Sequence, residues 1–229
     1  MLELRSLGHR YGEFEALRDL SLSLQPGECV ALIGHNGSGK TTAVRMIAGL
    51  LEITSGEVEI AGAPVGDEAA RAATAVVLDT PALYDDLTVA EHLELVALAH
   101  GVTDAELDDR AAELLVRLGL ESKTDSRPTA LSRGMRQKVS LACALVRPFS
   151  LLLLDEPVVG LDPASQRTLR ELIAEAVRAG AAVLLTTHQL EFARGIAARA
   201  VMLADGEVLC DGPYDAVIDG EHVRGRGLV

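Results

Sequence analysis

The chain has 229 residues, with 21 basic against 34 acidic side chains for a formal net charge of −13, and 48% of its residues are hydrophobic. That length supports one large α/β domain with a proper core, or two small ones, and the apolar content excludes wholesale disorder. The acidity argues against binding DNA or RNA by the general surface, and no apolar run approaches the roughly 20 residues needed to cross a bilayer.

In chain order, Leu2–Leu7 and Leu20–Leu24 alternate as strands do, and Cys29–Ile33 is a short apolar run ending at glycine. A helix is expected from Lys40 to about Leu51, then strands at Glu57–Ile60 and Ala75–Leu78. Thr88-Val89-Ala90-Glu91 and Thr103-Asp104-Ala105-Glu106 fit the capping box, in which hydroxyl and carboxylate satisfy the orphan amides of a helix start. Leu107, Ala111, Leu114, Leu115 and Leu118 then recur at helical spacing, so roughly residues 85 to 150 read as a helical insertion. Phe149–Leu154 is apolar throughout, as a strand buried on both faces of a parallel sheet must be. Asp162-Pro163 caps a helix running to Gly180, Ala182–Thr187 is the next buried strand, and Val201–Leu209 reads as a hairpin turning at Asp205-Gly206. The region of about 220–229 reads as a short polar tail.

Met1-Leu2-Glu3-Leu4-Arg5 has neither the basic start nor the apolar core of a signal peptide. Cys29, Cys143 and Cys210 are scattered, and are expected as buried thiols in a reducing cytosol. The charge is uneven: residues 85 to 126 hold eleven acids and three bases. That reads in the first instance as a solvated helix face. Of the basic residues only Lys40, Lys123 and Lys138 are lysines, and Lys40 stands inside the most glycine-rich loop.

Gly34-His35-Asn36-Gly37-Ser38-Gly39-Lys40-Thr41 fits the phosphate-loop pattern, between an apolar strand and a helix. Glycines let the backbone fold into a nest of N–H groups, and the helix N-terminus adds positive potential. Lys40 is expected to reach the β- and γ-phosphates and the Thr41 hydroxyl to ligate Mg²⁺, with Thr42 following. Leu151-Leu152-Leu153-Leu154-Asp155-Glu156 sets two carboxylates at a strand end, where ligands bind in such sheets. Asp155 is expected to hold Mg²⁺ and Glu156 to deprotonate an attacking water.

Leu131-Ser132-Arg133-Gly134-Met135-Arg136-Gln137, about a dozen residues before that strand, resembles the signature motif of the ABC ATPases. Val159-Gly160-Leu161-Asp162 resembles the loop that contacts the opposite subunit, Thr186-Thr187-His188 resembles the switch histidine, and Tyr11 occupies the place of the aromatic that stacks on adenine. The likeness runs from about residue 2 to 215. It implies an α/β P-loop NTPase core, a parallel sheet flanked by helices, with an N-terminal antiparallel β subdomain and a helical insertion, in one domain over 1–229. It also implies Mg²⁺ and ATP as cofactors, with Ser132 and Gly134 gripping the γ-phosphate held by a second chain in a homodimer or heterodimer. His188, expected with Glu156 and Asp79 to be catalytic, could hydrogen-bond the γ-phosphate and sense ATP against ADP, or be structural; Tyr11 could equally be an ordinary hairpin residue.

Two positions depart from the family pattern. Asp79 aligns where the family usually has glutamine; it could ligate Mg²⁺, but when ionised it donates no hydrogen bond. Arg133 and Met135 replace the glycine and glutamine of the commonest signature, a form more like the ATPases of bacterial exporters than of importers. The resemblance therefore implies the ATP-hydrolysing subunit of an exporter, cytoplasmic and peripheral on the inner membrane face through a separate membrane-spanning subunit, with no nucleic-acid partner. The alternatives are a membrane-associated ABC ATPase that transmits force without transport, and a soluble one of repair or translation. A small-molecule kinase would leave the signature motif unexplained.

Overall fold

The computed structural model describes residues 1–220, so all but the first residue of the expected tail lies outside the described residues. The first two strands, β1 (Leu2–Tyr11) and β2 (Phe14–Leu24), are longer than the alternation predicts. They pair antiparallel up to Tyr11 and Phe14, but the register shifts between Leu4 and Leu7, between Leu7 and His9, and between His9 and Arg10. Those irregularities break the period-2 pattern on which a sequence reading depends. The hairpin tip lies beside the loop from Gly34 to Lys40. After β3 (Cys29–Ile33), α1 (Lys40–Ile47) ends before Leu51, because Gly49 takes a left-handed conformation, φ 70°, just past its end. The strands β4 (Ser55–Ile60) and β5 (Ala63–Pro64) complete a four-stranded antiparallel sheet in the order β2-β1-β4-β5. A short helix, α2 (Glu68–Ala73), leads into β6 (Thr74–Val77).

Both expected capping boxes are present, opening α3 (Val89–Ala99) and α4 (Asp104–Leu118). On α4, Leu114 and Leu118 are buried and Leu107, Ala111 and Leu115 pack half-buried beside them. The signature segment forms the start of α5 (Arg133–Leu145), with the Ser132 hydroxyl capping it by accepting from the Met135 amide at 3.2 Å. Then come β7 (Leu151–Asp155), α6 (Pro163–Arg178) capped by Asp162, β8 (Ala182–Thr187), a single turn α7 (Leu190–Ala193), β9 (Arg199–Ala204), β10 (Glu207–Pro213) and α8 (Tyr214–Ile218). The β9–β10 turn falls at Asp205-Gly206, both with positive φ, as a two-residue hairpin needs.

The second sheet has the order β10-β9-β3-β8-β7-β6, parallel except for the edge strand β10. Alternate residues of its central strands enter two separate cores. Ala31, Ile33, Leu152, Leu154, Val183 and Leu185 face the α3–α6 side, while Val30, Leu32, Leu151, Leu153, Ala182 and Leu184 face α1 and the antiparallel sheet. Burial on both faces is why these strands read as unbroken apolar runs. The cysteines are less uniform than expected: Cys29 is buried, but Cys143 and Cys210 are only half-buried, because each sits at the margin of the core rather than within it. Burial pushes the Cys29 and Cys143 thiols up to about 12. Among the described residues no helix is long and apolar enough to cross a membrane.

The N-terminus of α5 is pressed against the loop after β7: a Cβ on Gly134 would lie 2.3 Å from the Gly160 carbonyl oxygen. Glycine is thus required there by the chain's own packing. Gly134→Ala gains about 1 kcal/mol of helix propensity but forces a backbone shift costing up to about 3. Chemical denaturation should show a net loss of about 1–2 kcal/mol; a net gain would mean that the Gly160 loop yields freely. Leu153→Ala, at a side chain with no exposed surface, should cost about 2–5 kcal/mol in the same assay.

Candidate functional site

The loop from Gly34 to Lys40 joins the buried end of β3 to the N-terminus of α1. It lies close under the first hairpin: Gly39 has φ 105°, and a Cβ there would meet the Ala16 carbonyl at 2.7 Å. The Lys40 ammonium is buried, donating to the carbonyls of Gly34 at 2.8 Å and His35 at 3.0 Å. Burial lowers its pKa, and the facing Glu156 and Asp155 charges oppose that shift. Both sides of this balance depend on keeping water out.

Opposite the loop, parallel pairing sets Asp155 beside Thr186. The Thr186 hydroxyl donates to Asp155 Oδ1 at 2.5 Å and accepts from the Glu156 amide at 3.1 Å. Burial raises the Asp155 carboxyl pKa, against hydrogen bonding from Thr186 and the nearby Thr41 hydroxyl; the Asp79 and Glu156 charges raise it further. Glu156 takes a left-handed φ of 47°, rare for a residue with a side chain and most often retained where function requires it. Its Oε2 accepts from His188 Nδ1 at 2.8 Å and lies 3.4 Å from the His188 amide. A carboxylate acceptor there fixes the proton on Nδ1.

The loop, the hairpin tip, Asp79 and Glu156 wall a cavity of about 280 Å³, whose lining does not include Asp155 or His188. Of the residues expected from sequence, the structure gathers Tyr11, Asn36, Gly37, Gly39, Lys40, Thr41, Thr42, Asp79 and Glu156 around it. Gly34, His35 and Ser38 belong to the same loop. Tyr11 is 47% exposed at the rim, its ring edge-on to His9 with centroids 4.5 Å apart. Phe14, which sequence reasoning passed over, is a second exposed aromatic on that rim. Its signal was the two-residue turn after Tyr11, hidden by the irregular register. Ser132 and Gly134 lie outside this cavity, at the start of α5.

Three side-chain atoms among the described residues are buried without a hydrogen-bond partner: Ser38 Oγ, Asp79 Oδ1 and Asp155 Oδ2. All three belong to the phosphate loop or to the carboxylates near it. Buried polar atoms are nearly always satisfied, so such clustering marks a place built for a polar or charged ligand. Thr41, Asp155 and Asp79 offer a hydroxyl and two carboxylates, the hard oxygen donors that suit Mg²⁺. Gln137 of α5, buried and also unforeseen, donates to the Leu78 carbonyl at 3.4 Å, next to Asp79. Lys138 pairs with Asp162 at 3.6 Å. Neither partner is near in sequence, so no local pattern announces these contacts.

Residues 17–159 match the family described as ABC transporter. The chain is 36% identical over 214 residues to the ABC-type transporter ATP-binding protein EcsA of Bacillus subtilis, covering 93% of this chain and 87% of that protein. It is 36% identical to the SkfA peptide export ATP-binding protein SkfE of the same organism, over 92% of this chain and 88% of that one. It is 34% identical to the Nod factor export ATP-binding protein I of Cupriavidus metallidurans, over 96% and 74%. A solved structure described as the ATP binding subunit of an ABC transporter superposes with a TM-score of 0.90 at 38% identity, over 100% of this chain and 94% of that chain. With phosphate loop, paired carboxylates and signature helix assembled on this fold, the chain belongs to the ABC transporter ATP-binding family and is an ATPase subunit.

Proposed function

We propose that this chain, as one ABC ATPase domain over 1–229 with its helical lobe at about 85–150, powers an exporter through a separate membrane-spanning subunit at the cytoplasmic face. The clustering of the three unpartnered buried atoms at the phosphate loop and its carboxylates is the observation that carries the site. The loop amides and Lys40 hold the β- and γ-phosphates, and Tyr11 offers a face to the base. Thr41 and Asp155, with Asp79 as a third oxygen, would hold Mg²⁺, which neutralises phosphate charge when bound. Glu156 accepts the proton of the attacking water, and His188 orients that carboxylate through Nδ1–H. Ser132 and Gly134 of a second chain close the site from the other side. The export-named relatives support this direction of transport.

The helical lobe offers a face for the membrane subunit. Tyr84 and Leu98 are 65% and 80% exposed there, beside exposed Asp85, Asp86 and Glu94. Cytoplasmic loops of membrane proteins are rich in Lys and Arg, the charge complement of this face. Glu91 is different: its carboxylate accepts from the Thr88 amide at 2.7 Å and closes a helix cap.

Glu156→Gln should lower turnover at least 100-fold while leaving ATP-dependent dimers; hydrolysis at the wild-type rate would remove Glu156 as the base. Ser132→Arg should block hydrolysis in a partner chain with an intact phosphate loop, measured in mixed dimers. Co-purification with a multi-span protein and ATP-driven efflux from vesicles tests export itself, and assembly without efflux would favour force transmission. Neutralising Asp85, Asp86 and Glu94, leaving the Glu91 cap intact, should weaken that assembly most at low salt. Unchanged assembly at every salt concentration would make the face merely solvated.

A further inference from the structure

Asp79 brings a third carboxylate to a site that already holds Asp155 and Glu156 and must admit a polyanionic triphosphate. A charge there faces the site, since Asp79 lines the cavity together with Glu156 and Lys40. Uncompensated, it would repel the phosphates that the loop is built to bind. The nearest compensation comes from α1 itself. Arg45 stands one helical turn beyond Thr41 on the same face, and its guanidinium lies 3.7 Å from Asp79 Oδ1. That distance makes an ion pair but not a hydrogen bond, so Asp79 Oδ1 keeps its lone pairs unused. Both side chains remain partly exposed, at 44% and 39%, so the pair is not needed to hold the fold together.

We propose that Arg45 is the positioning residue for Asp79: its guanidinium holds the carboxylate at the cavity wall and offsets its charge, letting this chain carry an acid where the family usually has glutamine. The inference rests on reading the cavity as the ATP site. It makes α1 bifunctional, with Thr41 at its first turn meeting the nucleotide and Arg45 at its next turn governing the acid beside it. It also separates two roles of charge at this wall. Without a divalent cation, Arg45 is the principal cover for Asp79; with one, the metal shares that task.

The test is a double-mutant cycle on the full chain, with ATP affinity measured by calorimetry in EDTA and again in excess Mg²⁺. Arg45→Gln should weaken metal-free ATP binding about fivefold, the size of one partly exposed charge interaction, and Mg²⁺-ATP binding by clearly less. Adding Asp79→Asn should abolish the effect of Arg45→Gln, and Arg45→Lys should retain most of the wild-type affinity. In steady-state assays Arg45→Gln should raise KM more at limiting than at saturating Mg²⁺, with kcat moving less than KM. Thermal melts of the variants should coincide with wild type, separating positioning from stability. Additive effects of Arg45→Gln and Asp79→Asn, or an equal loss with and without metal, would overturn the proposal. Failure of the wild-type chain to bind ATP would instead overturn the assignment of the site.

Discussion

One hydroxyl ties the two catalytic-type carboxylates to the sheet. Thr186 Oγ1 donates to Asp155 and accepts from the backbone of Glu156, so a single atom of β8 holds the last residue of β7 and the one after it. The arrangement requires parallel pairing in the observed register, Asp155 opposite Thr186. A one-residue slip would turn Asp155 to the opposite face and leave both groups unpaired in a dry interior. The same register sends alternate leucines into two cores, so the packing of both faces and the geometry of the site are one constraint. The left-handed turn at Glu156 is held from the same strand, β8, its amide donating to both the hydroxyl and the carbonyl of Thr186.

Much of this fold was legible where one physical rule acts alone. Cys29–Ile33 and Ala182–Thr187 are delimited by their apolar runs, since a strand buried on both faces has no choice of polarity. The two capping boxes and Asp162-Pro163 likewise declared their helices, because the donors they satisfy are local. The N-terminal hairpin was harder. Its register shifts, with Ser6 and Asp19 at positive φ, destroy alternation in the stretch that delivers Tyr11 and Phe14 to the cavity rim. The short helices α2, α7 and α8 went unread, since four to six residues are too few to establish a helical stripe.

The site divides in the same way. Contiguous motifs could be read residue by residue, because backbone N–H groups and a following helix are consequences of neighbouring residues. What links the motifs could not. Arg45 and Asp79 are joined across three strands and a helix, as are Gly134 and Gly160 around a whole strand. His188 is a case between these: its place after a buried strand was visible, but its bond to Glu156 depends on β7 and β8 being neighbours. The net charge of −13 also changed its meaning. It speaks against a general nucleic-acid surface, yet it says nothing against binding phosphates, because amides, Lys40 and Arg45 supply positive potential over a few ångströms while most of the acids stand elsewhere.

The helical lobe has no need of a long lever to be felt at the nucleotide. Its last helix, α5, touches both arms that leave the site. Gln137 bonds to the carbonyl before Asp79 on one side, while Gly134 packs on Gly160 and Lys138 pairs with Asp162 on the other. Two of these contacts are to backbone beside the carboxylate-bearing segments, and at Gly134 the approach leaves no room for a side chain. α5 thus bridges the segment that carries Asp79 and the loop four residues beyond Glu156. The lobe and the two carboxylate-bearing segments are therefore already joined within a single chain, through one helix and its contacts to both.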